Sequence, residues 1–124
     1  MIINRLQVLA ELRCVFDRYE RALVENDVAT LDELFWDSPQ TMRYGTAENL
    51  YGIDEIRAFR AARPATGLSR EILRLQITTY GEAFGTTHIE FRRTGSERIG
   101  RQTQTWMKTP QGWRVVSAHV SSMT

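Results

Sequence analysis

The residues of this chain that could do chemistry are few: a phenol, a guanidinium, an imidazole and a pair of glutamines. Tyr19 falls on the apolar stripe of an amphipathic N-terminal segment, so its ring is expected to be buried and its hydroxyl to need a partner. That partner is either a core neighbour or something in a pocket, toward which the phenol would act as hydrogen-bond or proton donor. Arg43 stands between Met42 and Tyr44 in a short extended stretch. On an exposed strand it would be solvated. Turned inward it would carry a permanent charge and a fork of donors that matches a carboxylate. His119 alternates in phase with Trp113 and Val115 and is either a satisfied core residue or an acid–base group. Gln102 and Gln104 could orient a planar amide or urea-like group, or satisfy buried neighbours. His88 lies in phase with Glu90, which reads as a structural pair.

Other chemistries lack their residues. There is no phosphate-binding glycine loop, no HExxH, no CxxC and no GxSxG. With 2 histidines and 1 cysteine, a metal site would need scattered carboxylates, so neither metal nor cofactor is expected. Cys14, inside the apolar helical pattern, reads as a buried, inert thiol. The 16 basic and 15 acidic residues leave a net charge of +1, which argues against nucleic acid or an anionic membrane as partner. Arg92, Arg93, Arg98 and Arg101 still form a local basic group. No apolar run approaches the ~18 residues of a membrane span. The N-terminus Met1-Ile2-Ile3-Asn4-Arg5 does not read as a signal peptide, since Glu11 and Arg13 interrupt any apolar stretch. A cytoplasmic location is the resulting expectation.

Behind these residues stands a pattern of helices followed by strands, which 124 residues with 42% apolar and 25% charged content can fold as one domain spanning the chain. Leu9, Leu12, Val15, Phe16, Tyr19 and Leu23 recur at three- and four-residue steps and predict a helix from Asn4 to Glu25, with Asn4 as its cap. Asp27 caps a second short helix carrying Val28, Leu31, Leu34 and Phe35. Ser38-Pro39 stops it. Thr41 to Tyr44 is extended, and Glu48 to Gly52 is a turn with a small hairpin arm. Asp54 begins a third helix with Ile56, Phe59 and Ala62 inward. Arg70–Tyr80, Ala83–Arg93, Arg98–Thr109 and Trp113–Met123 then read as strands joined by short glycine-bearing turns, an antiparallel meander. The class is α+β.

If Thr109–Gly112 is a four-residue hairpin, Lys108 lies opposite Trp113. Gln102, Gln104 and Trp106 then share a face with Trp113, Val115, Ser117, His119 and Ser121, a wall of aromatic residues with sparse polar anchors, as in ligand pockets. Gln104, Trp106, Ser117 and His119 are the substrate-binding candidates on that wall. The opposite face, with Thr103, Thr105, Val116, Ala118 and Val120, is expected to join two copies as a homodimer.

The order helix–helix–short strand–helix–meander, ending in Trp113-Arg114-Val115-Val116-Ser117-Ala118-His119-Val120-Ser121, resembles the SnoaL-like branch of the nuclear transport factor 2-like superfamily. The resemblance implies a cone-shaped cup, a curved antiparallel sheet around three helices. Gly100-Arg101-Gln102-Thr103-Gln104-Thr105-Trp106 followed by Ala118-His119-Val120-Ser121 is similar to the group of decarboxylating amidohydrolases of cyanuric acid catabolism, which convert 1,3-dicarboxyurea to allophanate. That likeness implies a catalytic pair, a tyrosine on the first helix and an arginine on the first strand, here Tyr19 and Arg43, with a small carboxylated substrate. The superfamily also hosts non-enzymatic binding and assembly domains. Its ketosteroid isomerases and dehydratases need a pocket carboxylate, or a histidine paired with one. No aspartate of this chain is expected on a strand facing the pocket.

Overall fold

Helix α1 runs from Leu6 to Val24 and buries one stripe, Val8, Leu12, Phe16, Tyr19 and Leu23 with Ala22 beside it. This is the spacing that the apolar pattern predicts. Its start differs. Asn4 takes a positive φ of 57° and does not cap the helix. Instead its side-chain oxygen accepts from the Thr79 N–H, tying the N-terminal segment to the sheet edge, where Ile3 bridges Tyr80. Cys14 lies off the stripe and is exposed, which corrects the expectation of a buried thiol. Helix α2, Val28–Leu34, is capped by Asp27, whose carboxylate accepts from the Thr30 N–H at 3.2 Å. Helix α3, Ile53–Ala62, begins not at an Asp54 cap but after Gly52, whose φ of 84° suits glycine.

The computed structural model describes residues 1–123. Six strands follow the order β2-β1-β6-β5-β4-β3, where β1 is Met42–Tyr44, β2 Asn49–Tyr51, β3 Arg70–Tyr80, β4 Phe84–Arg93, β5 Ile99–Thr109 and β6 Gly112–Ser122. The last four form the antiparallel meander that the turn residues predict, and Lys108 does pair with Trp113. The sheet is nonetheless mixed, because β1 lies parallel to β6. It is curved, open, and carries the helices on one face. The core lies between them: Leu12, Leu31, Leu34, Phe35, Trp106 and Val115 are fully enclosed.

Gly100 permits a close approach in this core. A Cβ there would lie 2.3 Å from Cζ of Phe91, its cross-strand partner. Overpacking of this kind costs ~1–3 kcal/mol, so Gly100→Ala is expected to lower unfolding stability by that amount in urea denaturation. An unchanged midpoint would mean that the Phe91 ring can move aside.

Candidate functional site

Two β-bulges decide which side chains face the helices. In β3 the register shifts between Ile72 and Arg74. The extra residue, Leu73, changes the inward parity from Leu75, Ile77 and Thr79 to Ile72 and Arg70, so Arg70 is aimed at the core. In β6 the register passes from Trp106↔Val115 to Thr105↔Ser117, leaving Val116 as the extra residue. Beyond it Ala118 and Val120 are buried, while Ser117 and His119 are exposed. The expected face is therefore correct up to Val115 and inverted after it, as a one-residue insertion requires. Arg43 pairs with inward-facing Ala118 and so points inward too.

Inside the cup Tyr19, Arg43, Arg60, Arg63, Arg70 and Arg93 line one mostly enclosed chamber, with Gln102, Phe59 and Val120 among the remaining wall residues. Its free space is about 20 Å³, room for a water or two. A larger guest enters only if arginine side chains yield. Tyr19 is 5% exposed and packs edge-on against Trp106. The side chains of Arg60 and Arg70 are 4% and 2% exposed, and that of Arg43 is 15% exposed.

Five guanidiniums in one place repel one another, and carboxylates behind them offset part of the charge. Arg43 Nη1 donates to Glu48 Oε1 at 2.9 Å, Arg60 Nη1 to Asp32 Oδ1 at 2.9 Å, and Arg70 grips Glu20 through Nε and Nη2. Four also lie against rings: Arg60 over Phe35 at 4.3 Å, Arg70 and Arg93 over Phe91 at 4.3 and 5.5 Å, and Arg43 over Phe59 at 5.4 Å. Arg63 and Arg93 have no carboxylate partner among the described residues. Nε and Nη2 of Arg63 are buried with no hydrogen-bond partner among the described residues. Burial pushes the Arg60 guanidinium below its ordinary pKa against the raising influence of Tyr19 and Asp32. Arg63 is lowered by burial against Tyr19, and Arg93 by burial and then by Arg70. Guanidiniums start so far above neutrality that Arg60, Arg63 and Arg93 keep their charge despite this lowering.

The other expected site residues are elsewhere. Gln104 and Trp106 are fully buried in the sheet core, where Trp106 Nε1 donates to Thr87 Oγ1 at 3.1 Å and Thr87 Oγ1 to Gln104 Oε1 at 3.2 Å. Neither lines the chamber. Ser117 and His119 lie on the outer face, where His119 meets the Tyr44 ring edge-on at 5.6 Å. His88 pairs with Thr103 Oγ1 rather than with Glu90. Gln102 does line the chamber and accepts from Arg70 Nη2 at 3.3 Å. A wider open groove of about 620 Å³ runs between α1 and the β5–β6 turn, past Cys14, Val15 and Trp113. One polar group of that groove, Glu11, is already engaged by Lys108 and Trp113. Convergent buried charge, not size, singles out the smaller chamber.

A family model described as AtzH-like matches residues 1–124. The chain is similar to a crystallised Pectobacterium atrosepticum protein of unknown function, with 58% identity, a TM-score of 0.97, and coverage of 98% of this chain and 95% of that one. It is also similar to a cystatin-like fold protein from Burkholderia xenovorans, at 41% identity and a TM-score of 0.95, covering 100% of this chain and 98% of the other. A nuclear transport factor 2-like superfamily protein from Salmonella enterica serovar Typhimurium shares the fold at 23% identity and a TM-score of 0.78, covering 95% and 92%. Comparison with curated proteins gives no match. The fold is thus the nuclear transport factor 2-like, cystatin-like one. No helix among the described residues is long and apolar enough to cross a membrane.

Proposed function

This chain belongs to the AtzH-like family, and from that premise we propose that it is a small cofactor-free hydrolase or lyase acting on an N-carboxylated urea or amide of the 1,3-dicarboxyurea type. The observation that carries the reading is that Tyr19 and Arg43 open on the same mostly enclosed chamber, whose wall holds five guanidiniums and, among the described residues, no carboxylate. Such a wall suits a small planar anion. An isomerase or dehydratase working on an apolar ring needs a carboxylate base in the pocket, and here Glu20, Asp32 and Glu48 are each bound to an arginine.

In this reading Arg43 anchors one carboxylate through donors that Glu48 leaves free, and Gln102 faces the planar urea framework. As the bond from nitrogen to a carboxylate carbon breaks, the carboxylate leaves as carbon dioxide and its electron pair stays on nitrogen. Nitrogen takes the Tyr19 proton, and solvent later returns one to the phenolate. Arg60 and Arg63 line the same wall as Tyr19 and hold fixed positive charge beside the reacting anion. Holding the reactants together supplies much of the remaining acceleration.

Incubation of the purified protein with freshly generated 1,3-dicarboxyurea is expected to yield allophanate and carbon dioxide above the spontaneous rate. Turnover equal to the buffer control removes the catalytic reading and leaves a binding domain.

A further inference from the structure

Arg63 is the one chamber guanidinium with neither a carboxylate nor an aromatic ring against it among the described residues. It follows α3, Ile53–Ala62, as the C-terminal cap, immediately before Pro64. Its Nε and Nη2 atoms form the side of the guanidinium that presents two parallel N–H groups, the edge that binds a carboxylate bidentately. Both atoms are buried and unpartnered. The chamber shows what that edge does when filled: Arg70 turns its own Nε and Nη2 onto the two oxygens of Glu20. An unpaired buried donor is costly, and here two sit side by side on a residue that lines a chamber already rich in positive charge. Arg93, on the inward parity of β4 and directly opposite Arg70, adds a second uncompensated charge at the exposed rim. Five positive charges against the three carboxylates of Glu20, Asp32 and Glu48 leave an excess of two.

We infer that Arg63, supported by Arg93, is a second carboxylate seat, separate from Arg43, and that it makes the chamber selective for dianions over monoanions. Arg63 is thereby a specificity-determining residue. The inference rests on the proposed reading only for which anion is transformed. The seat itself follows from the free bidentate edge and the charge excess. A dianion neutralises that excess, whereas a monoanion leaves a buried positive charge and an empty edge.

Titration calorimetry with two unreactive acids separates the possibilities. Glutarate has the five-atom backbone of a dicarboxylated urea and two carboxylates; butyrate has one. Wild-type protein is expected to bind glutarate about tenfold or more tightly than butyrate, equivalent to one charge-assisted contact. Arg63→Gln should bring glutarate close to butyrate while leaving butyrate nearly unchanged. Arg63→Lys, which keeps the charge and loses the fork, should retain part of the gap. Equal affinities in wild type, no binding of either acid, or an undiminished gap in Arg63→Gln would each overturn the seat. Glutarate selectivity without turnover of 1,3-dicarboxyurea sinks the catalytic reading and leaves the seat standing. Turnover without selectivity does the reverse.

Discussion

Tyr19→Phe is expected to retain substrate binding and lose turnover by ~10²–10⁴-fold, the range for removing a positioned proton donor. The substitution deletes one oxygen and leaves the ring against Trp106 and Phe35, both at 6.3 Å between centroids, so the fold has little reason to change. The loss should fall on kcat with KM nearly constant, because the proton moves only as the C–N bond breaks. Arg43→Ala should act differently. It removes an anchor used in both ground and transition states, and a charge-assisted contact of ~1.5–3 kcal/mol corresponds to roughly 10–150-fold in kcat/KM, much of it through KM. Arg43→Lys should recover little, since an ammonium cannot reproduce a bidentate grip. Single-turnover kinetics on the three variants, with circular dichroism as the check on folding, reads both effects. Wild-type rates in Tyr19→Phe and Arg43→Ala would strip both residues of these roles.

The architecture was legible because each element carries its own local signal. The three- and four-residue steps through Leu12, Phe16, Tyr19 and Leu23, the Asp27 cap, and glycine-bearing turns between strands all act within a few residues of where they are read. The parallel pairing of β1 with β6 has no such signal: three residues, Met42 to Tyr44, meet a strand some seventy-five positions later, and only tertiary packing selects it. Bulges are harder still. Nothing local in Leu73 or Val116 marks an unpaired position, yet each exchanges the faces of every residue beyond it. This is why His119 and Ser117 were expected in the pocket and lie outside it, and why Arg70 is inside.

Tyr19 and Arg43 could be picked out, yet most of the chamber's charge could not. Arg60 had a usable signal: it stands four residues after Ile56 on the buried stripe of α3, where Ala62 was expected, and a charged residue on an apolar stripe invites a search for partners. Arg93 was visible only as part of a basic group with Arg92, Arg98 and Arg101. Strand alternation separates them, sending Arg93 toward the chamber and Arg92 toward solvent. Arg63 reads as an ordinary helix-terminal residue, and its role depends on what the loop folds over. The compensating acids are equally non-local. Glu20 meets Arg70 across 50 positions and Asp32 meets Arg60 across 28.

That dependence leads to the largest expected stability effect. Glu20→Gln should destabilise the fold by ~3–5 kcal/mol, because the Arg70 side chain is 2% exposed and would keep its charge without its bidentate partner. The acceptors left to Arg70 are neutral: one amide oxygen at position 20 and Gln102 Oε1 at 3.3 Å, a long contact. The pair itself need not be net stabilising, since two ions must be desolvated to form it. Glu20→Leu combined with Arg70→Met should therefore be more stable than either change alone, and urea denaturation of Glu20→Leu, Arg70→Met and the double variant measures the coupling. Function adds a second reading of Glu20→Gln. Removing Glu20 raises the chamber's excess charge from two to three, so an anion that binds the folded state should raise the melting temperature of Glu20→Gln more than that of wild type. Sulfate or glutarate at a fixed concentration supplies the comparison at constant pH and ionic strength. If Glu20→Gln is as stable as wild type, water reaches Arg70 and the chamber is not the dry, charge-strained space on which selectivity for dianions depends.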